Sequence, residues 1–148
     1  MSDANKILAQ RFFEDILTQQ NYAVCSEIMA ERYIEHAIAP FGQSEPGSVQ
    51  GPQHARSAAE WLHAQFPDMR MKVEMAIAEG DLVSCRVVSE GTNLGPFNGT
   101  IPPTGRHFAG WQTHWFRVAD GKLAEHWAVR DDLTMMLQLG IIPLPARP

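Results

Sequence analysis

Cysteine is scarce in this sequence: of 148 residues, only Cys25 and Cys85 carry a thiol. Each sits in an otherwise apolar pattern, as small buried hydrophobes do, although a single bridge between them stays open. A disulfide scaffold is excluded, and a reducing, cytoplasmic setting fits. Basic residues are also few, 12 Lys and Arg against 17 Asp and Glu, for a net charge of -5. No basic stripe is available to displace counterions from phosphates, so a nucleic-acid partner is excluded. No apolar run approaches the roughly 20 residues of a membrane span. The polar start Met1-Ser2-Asp3-Ala4-Asn5 lacks the basic-then-apolar pattern of a secretion leader.

Motifs are missing too. There is no His-x-His pair and no His-Glu-x-x-His string, and His107 and His114 are an odd number of residues apart, which turns them to opposite faces of a strand. No metal site is expected. Neither Gly-x-Gly-x-x-Gly, a phosphate-binding loop nor a Gly-x-Ser-x-Gly elbow occurs, so no cofactor is expected either.

What is present is an ordinary globular composition, 45% hydrophobic and 20% charged, in one domain spanning residues 1–148. The first third has helical spacing. Ile7, Leu8, Phe12, Phe13, Ile16 and Leu17 mark one helix, with Ser2 or Asp3 as its N-cap. Asn21 can cap a short second helix carrying Tyr22, Cys25, Ile28 and Met29. A Gly-, Pro- and Ser-rich loop over residues 40–52 is long enough to cover a site. Pro52 then starts a third helix, with Ala55, Ala58, Ala59, Leu62 and Phe66 on its buried stripe, and Pro67 ends it.

After Pro67 the period falls to 2. Met69, Met71, Val73, Met75 and Ile77 alternate with polar residues or alanine, as in a half-buried strand. A second strand over 82–92 follows the turn Glu79-Gly80-Asp81. A second Pro- and Gly-rich loop covers 95–105, and strands over 107–118 and 123–130 flank the hairpin signal Asp120-Gly121. A short helix over 133–139 ends at Gly140. The expected fold is α+β: three N-terminal helices packed on a curved antiparallel sheet, a cone with a cavity, and a short C-terminal helix.

If Asp120 and Gly121 form a two-residue loop, His114 pairs with Trp127, Gln112 with Val129 and Gly110 with Asp131. One face then carries Gln112, His114, Phe116, Glu125, Trp127, Val129 and Asp131, polar groups among apolar ones as in a small-molecule pocket. The other carries Trp111, Thr113, Trp115, His126, Ala128 and Arg130. Its large aromatics predict a homodimer packed through this face, or else cover by the protein's own loops. Asp131 lies within ~8 Å of Gln112 but ~13 Å from His114 along the strand.

The order and spacing of several blocks resemble the SnoaL-like polyketide cyclases of the nuclear-transport-factor-2-like superfamily. They include Arg11-Phe12-Phe13-Glu14-Asp15-Ile16-Leu17, Tyr33-Ile34-Glu35-His36, Phe66-Pro67-Asp68-Met69-Arg70 and Ala78-Glu79-Gly80-Asp81-Leu82-Val83. Ile101-Pro102-Pro103-Thr104-Gly105-Arg106, Phe116-Arg117-Val118-Ala119-Asp120-Gly121-Lys122 and Glu125-His126-Trp127 with Asp131 complete them. The resemblance implies a cone-shaped α+β barrel and a cofactor-free, intramolecular aldol closure of a polyketide ester. It also implies that the aspartate ending the last long strand, Asp131, is the acid/base, with Gln112 and His114 as polar helpers.

Desolvation beside Val129 and Trp127 is expected to raise the pKa of Asp131. Asp131 could equally cap the final helix, a task Asp132 could also take. Tyr33 and His36 are candidates for the pocket mouth, and Phe116, Trp127 and Val129 for its apolar wall. His54 and His63 are expected to be solvated, and His107 and His126 to lie on the outer face. The substrate class is a small apolar or aromatic carbonyl compound. An isomerase, a hydrolase and a non-catalytic ligand carrier stay open as alternatives, since fold alone does not settle function.

Overall fold

The computed structural model describes residues 2–37 and 45–148. Helix α1 (Ser2–Arg11) runs on without a break into a π-helical segment, Phe12–Thr18. The wider turn closes with Thr18 Oγ1 donating to the Phe13 carbonyl at 2.9 Å. It buries Phe12, Phe13, Ile16 and Leu17 together against the sheet. Such turns are rare and recur at functional sites. Helix α2 (Val24–Ile28) is short, α3 covers Gln53–Gln65, and α4 (Asp132–Leu139) closes the chain. None of the described helices is long and apolar enough to cross a membrane.

Among the described residues, six strands form one sheet: β1 (Met29–Glu35), β2 (Ser48–Val49), β3 (Arg70–Glu79), β4 (Leu82–Thr92), β5 (His107–Ala119) and β6 (Lys122–Arg130). Their order is β2-β1-β6-β5-β4-β3, so among the described residues β2 and β3 are the edges and the curved sheet does not close. The expected α+β fold is present. Strand β1 corrects the reading of Met29, which leaves the second helix and starts a strand instead. It also makes the sheet mixed, because β1 runs parallel to β6. The expected loop over 40–52 lies outside the described residues up to 44, and its later part contains β2, paired antiparallel with β1.

The hairpin turn between β5 and β6 is as expected. Asp120 and Gly121 both have positive φ, 51° and 71°, and Ala119 faces Lys122. This is the backbone that a twisted two-residue hairpin demands. Gly140 likewise ends α4 in the left-handed conformation, φ 76°.

Two bulges overturn the alternation read beyond them. In β3 the register shifts between Val73 and Met75, leaving Glu74 as the extra residue. Met75 and Ile77 therefore turn outward and are 56% and 64% exposed. In β6 the register shifts after the Val118–Leu123 pair, so Arg117 faces Glu125, Phe116 faces His126, Trp115 faces Trp127 and His114 faces Ala128. Ala124 is the extra residue. A bulge moves every later side chain to the opposite face. The physical reason is charge: Glu125 would otherwise oppose buried Phe116, whereas the slip sets its carboxylate 3.3 Å from the Arg117 guanidinium.

The inner face is covered by α1, the π-helical segment and α3, and its core includes Phe13, Ile16, Met29, Val83, Val87, Phe116 and Leu123. The loop after β4 is pinned from below. Buried Asn93 accepts from Thr104 N at 2.9 Å and donates to the Gly95 carbonyl at 2.7 Å. A Cβ on Gly95 would lie 1.8 Å from the Ala64 carbonyl oxygen, so no other residue fits there.

Candidate active site

The bulge in β6 turns His126 to the face that already carries His114 and Gln112. Parallel pairing sets Glu35 of β1 beside His126 of β6, both on the inner face and each 5% exposed. His126 Nδ1 donates to Glu35 Oε1 at 2.8 Å. Its Nε2 lies 2.8 Å from His114 Nδ1 on β5, and His114 Nε2 lies 2.8 Å from Gln112 Oε1. A continuous hydrogen-bonded relay thus runs Glu35–His126–His114–Gln112 through the protein interior.

Aromatic side chains wall this relay. The two imidazoles lie 11° from parallel, and Phe116 stacks on His126 with centroids 4.7 Å apart. From the π-helical segment, Phe13 sits edge-on to His114 at 4.6 Å and Phe12 lies 5.9 Å from His126. The extra residue of that turn lets two successive phenylalanines face inward.

Further groups converge on Glu35: Ala37 N donates at 2.8 Å, Tyr33 Oη at 3.4 Å, and His54 Nε2 stands 3.3 Å away. Burial pushes the Glu35 carboxyl up, but hydrogen bonds from His126 and His54, the His126 charge and the Ala37 amide together hold it below the usual carboxylate range. Burial, then the His126 and Arg130 charges, push His114 well below the usual imidazole range, against a smaller opposite pull from Glu35. Burial also raises the Tyr33 phenol well above its ordinary value, with the Glu35 charge adding to it. At neutral pH the site therefore holds a neutral His114 and an ionised Glu35.

Half-buried Gln112 lines a groove of about 390 Å³ with Arg86, Trp111, Thr113, Val129, Arg130 and Asp131. The groove lies where β6 ends, so it receives residues from both faces of the sheet. Its volume falls within the range of small-molecule sites, about 300–1,000 Å³.

Several expectations change. Asp131 shares the groove with Gln112, as its register suggested, but it does not turn into an apolar interior. It is exposed and caps α4, accepting from Thr134 N at 3.1 Å and Thr134 Oγ1 at 2.7 Å. Those two hydrogen bonds hold its carboxyl below its ordinary value, the reverse of the rise expected from desolvation. Trp127 and Val129 stand on the outer face, Val129 66% exposed, because the Ala124 bulge reverses their phase.

His36 stacks on Trp127, centroids 4.8 Å apart and planes 1° from parallel, and meets Glu125 at 2.9 Å. It belongs to that outer surface. Tyr33 and Phe116 are inside, but both are fully buried, so they support the relay and do not line a mouth. His126, expected outside, is at the centre of the relay. His54 is partly buried against Glu35, and His63 contacts the Leu17 carbonyl at 2.7 Å, so neither is simply solvated.

Glu35, His126 and His54 are thus functional candidates that alternation and composition did not select. One signal was available. Arg117 and Glu125 are complementary only if one residue between Lys122 and Glu125 bulges, and that slip carries His126 inward.

A family model described as SnoaL-like polyketide cyclase matches residues 7–139. Among curated proteins, the aklanonic acid methyl ester cyclase DauD of Streptomyces sp. strain C5 is 30% identical over 113 residues, covering 76% of this chain and 70% of that protein. The nogalonic acid methyl ester cyclase of Streptomyces nogalater is 34% identical over 97 residues, covering 65% of this chain and 72% of that protein. Among solved structures, wild-type IdmH of Streptomyces antibioticus is 30% identical with a TM-score of 0.78, covering 93% of this chain and 98% of its own.

Proposed function

This chain belongs to the SnoaL-like polyketide cyclase family, and from that premise we propose that it closes a ring within a polyketide methyl ester by proton transfer at His114. The observation that carries this reading is the buried relay ending at Gln112 in the groove. A ring-closing aldol step needs a base for a proton α to a carbonyl and donors for the oxygen that becomes negative. His114, neutral because burial depresses its pKa, supplies the base through Nε2 once the substrate displaces the Gln112 amide from it. The amide N–H of Gln112 then donates to the enolate oxygen.

The carbanion attacks a second carbonyl of the same molecule. A carbon–carbon bond forms, the carbonyl π bond breaks, and the resulting alkoxide takes back the proton from His114. No atom is gained or lost, so the product is an isomer of the substrate. Asp131 has a different task in this reading: it fixes the start of α4 at the groove rim, where Val129 supplies apolar contact.

The outer sheet face, with Trp111, Trp115, Met75 and Ile77 exposed, supports a homodimer formed through it. The free, buried Cys25 and Cys85 support a reducing compartment, the cytoplasm.

The test uses the esters named for the relatives. Incubation with aklanonic or nogalonic acid methyl ester is expected to give a cyclised isomer of unchanged mass by liquid chromatography and mass spectrometry. His114→Gln is expected to cut kcat by about 10²–10⁴-fold, the usual worth of a general acid or base. Binding without conversion would favour a carrier, and solvent oxygen-18 in the product would favour hydrolysis; either result contradicts the reading.

A further inference from the structure

The relay has two self-consistent hydrogen-bond patterns, and they differ by one proton. In the first, Gln112 turns its amide nitrogen towards His114 and donates to Nε2. His114 then donates from Nδ1 to His126 Nε2, and His126 donates from Nδ1 to Glu35. Both imidazoles are neutral. In the second, Gln112 presents its oxygen, as it does at 2.8 Å, and His114 donates to it from Nε2. His114 Nδ1 now accepts from His126 Nε2, and His126 carries hydrogens on both nitrogens beside the Glu35 carboxylate. A carboxamide offers a donor at one end and an acceptor at the other, so a half-turn of Gln112 serves both patterns.

We infer that the Glu35–His126 pair holds the proton that enters at His114 Nε2, so His114 exchanges protons with the groove while itself remaining uncharged. The inference rests on the proposed function above and deepens it: Glu35 and His126 are positioning residues that act through His114. A proton arriving at His114 Nε2 releases the Nδ1 proton to His126 Nε2. The positive charge then lies one hydrogen bond from Glu35, 2.8 Å away, and two from the substrate. The return of the proton reverses each step, so nothing else is consumed.

The surroundings favour that location. His114 faces Cys85 on β4, whose thiol burial pushes up to about 11, so no anion there can balance a charged His114. Arg130 on β6 opposes a charge on His114, and Phe12, Phe13 and Phe116 offer none. At the other end Glu35 from β1, with Tyr33 and the α3 residue His54 bonded to it, supplies the counter-charge. A buried charge is tolerated where it is paired and hydrogen-bonded.

The test is long-range proton–nitrogen NMR of protein labelled with nitrogen-15 histidine, titrated without substrate. His114 is expected to switch from the Nδ1–H to the Nε2–H tautomer with the same midpoint at which His126 gains its second proton. In Glu35→Gln that shared midpoint is expected to move to lower pH by more than one unit. A single His114 tautomer throughout, an imidazolium at His114 before His126, or an unmoved midpoint in the variant would each overturn the inference. The wild-type tautomer switch is readable even if the variant does not fold. Failure of the cyclase reading is separate, since it appears as a fully active His114→Gln while the tautomer switch persists.

Discussion

Two carboxylates flank β6, and they show what position does to one functional group. Asp131 follows the last residue of the strand, exposed, and its oxygens are taken by Thr134 at the start of α4. Glu35 lies one strand away, 5% exposed, and its oxygens are bonded to His126 and the Ala37 amide. Both are held below the ordinary carboxylate range, for different reasons. Asp131 is a solvent-facing helix cap whose ionised form is stabilised by two local donors. Glu35 is a desolvated anion stabilised by imidazoles that lead to the groove. Ionisation alone therefore does not distinguish the two carboxylates; the hydrogen-bonded chain from Glu35 to Gln112 does.

The largest expected difference between the two is in stability. Glu35→Ala leaves His126 and His54 without their buried partner and is expected to cost about 3–5 kcal/mol in urea unfolding, as for other broken buried pairs. A loss comparable to that of Asp131→Ala would break the contrast.

The next difference is in pH dependence. The folded protein resists protonating His114, while the unfolded chain takes that proton near its free value of about 6.5. Stability is therefore fully present above about 6.5 and is lost as pH falls below it, by linkage. Glu35, held low in the fold, adds a second loss below about 4.3, where the unfolded carboxyl protonates. His114→Gln is expected to shrink the fall in melting temperature between pH 7 and 5, measured by calorimetry. An unchanged fall would show that His114 is not the depressed group.

Asp131 should matter less. Asp131→Ala is expected to lower Tm by a few degrees through loss of the α4 cap, whereas Asp131→Asn, an equally good cap, is expected to leave Tm nearly unchanged. Loss of Tm in both would mean that the charge, not the cap, is what α4 needs. The smallest effect on either carboxylate is expected from Trp115→Glu on the outer face. It should halve the mass seen by light scattering without altering the pH profile. An unaltered mass would show that this face is not the dimer contact.

Much of the fold was legible in the sequence, and the reasons are local. The helical stripe at Phe12, Phe13, Ile16 and Leu17, the turn at Asp120-Gly121 and the stop at Gly140 each act through near neighbours. The resemblance to known cyclases covered most of the chain. The site was less legible, because it depends on two things that alternation does not report.

One is the bulge at Ala124, which inverts the faces of every β6 residue after it and so exchanged His126 with Trp127. The other is the parallel pairing of β1 with β6, a contact between residues far apart in sequence that places Glu35 beside His126. His114 and Gln112 share a face as expected because β5 has no bulge between them. Trp127 and Val129 were placed on the wrong face because they lie beyond one.

In the proposed reaction, proton transfer passes through His114 and not through Asp131. The most direct measurement is kcat for Asp131→Asn and His114→Gln side by side on aklanonic acid methyl ester. Asp131→Asn is expected within about threefold of wild type and His114→Gln lower by about 10²–10⁴-fold. The reverse ranking, with Asp131→Asn inactive and His114→Gln near wild type, would contradict it.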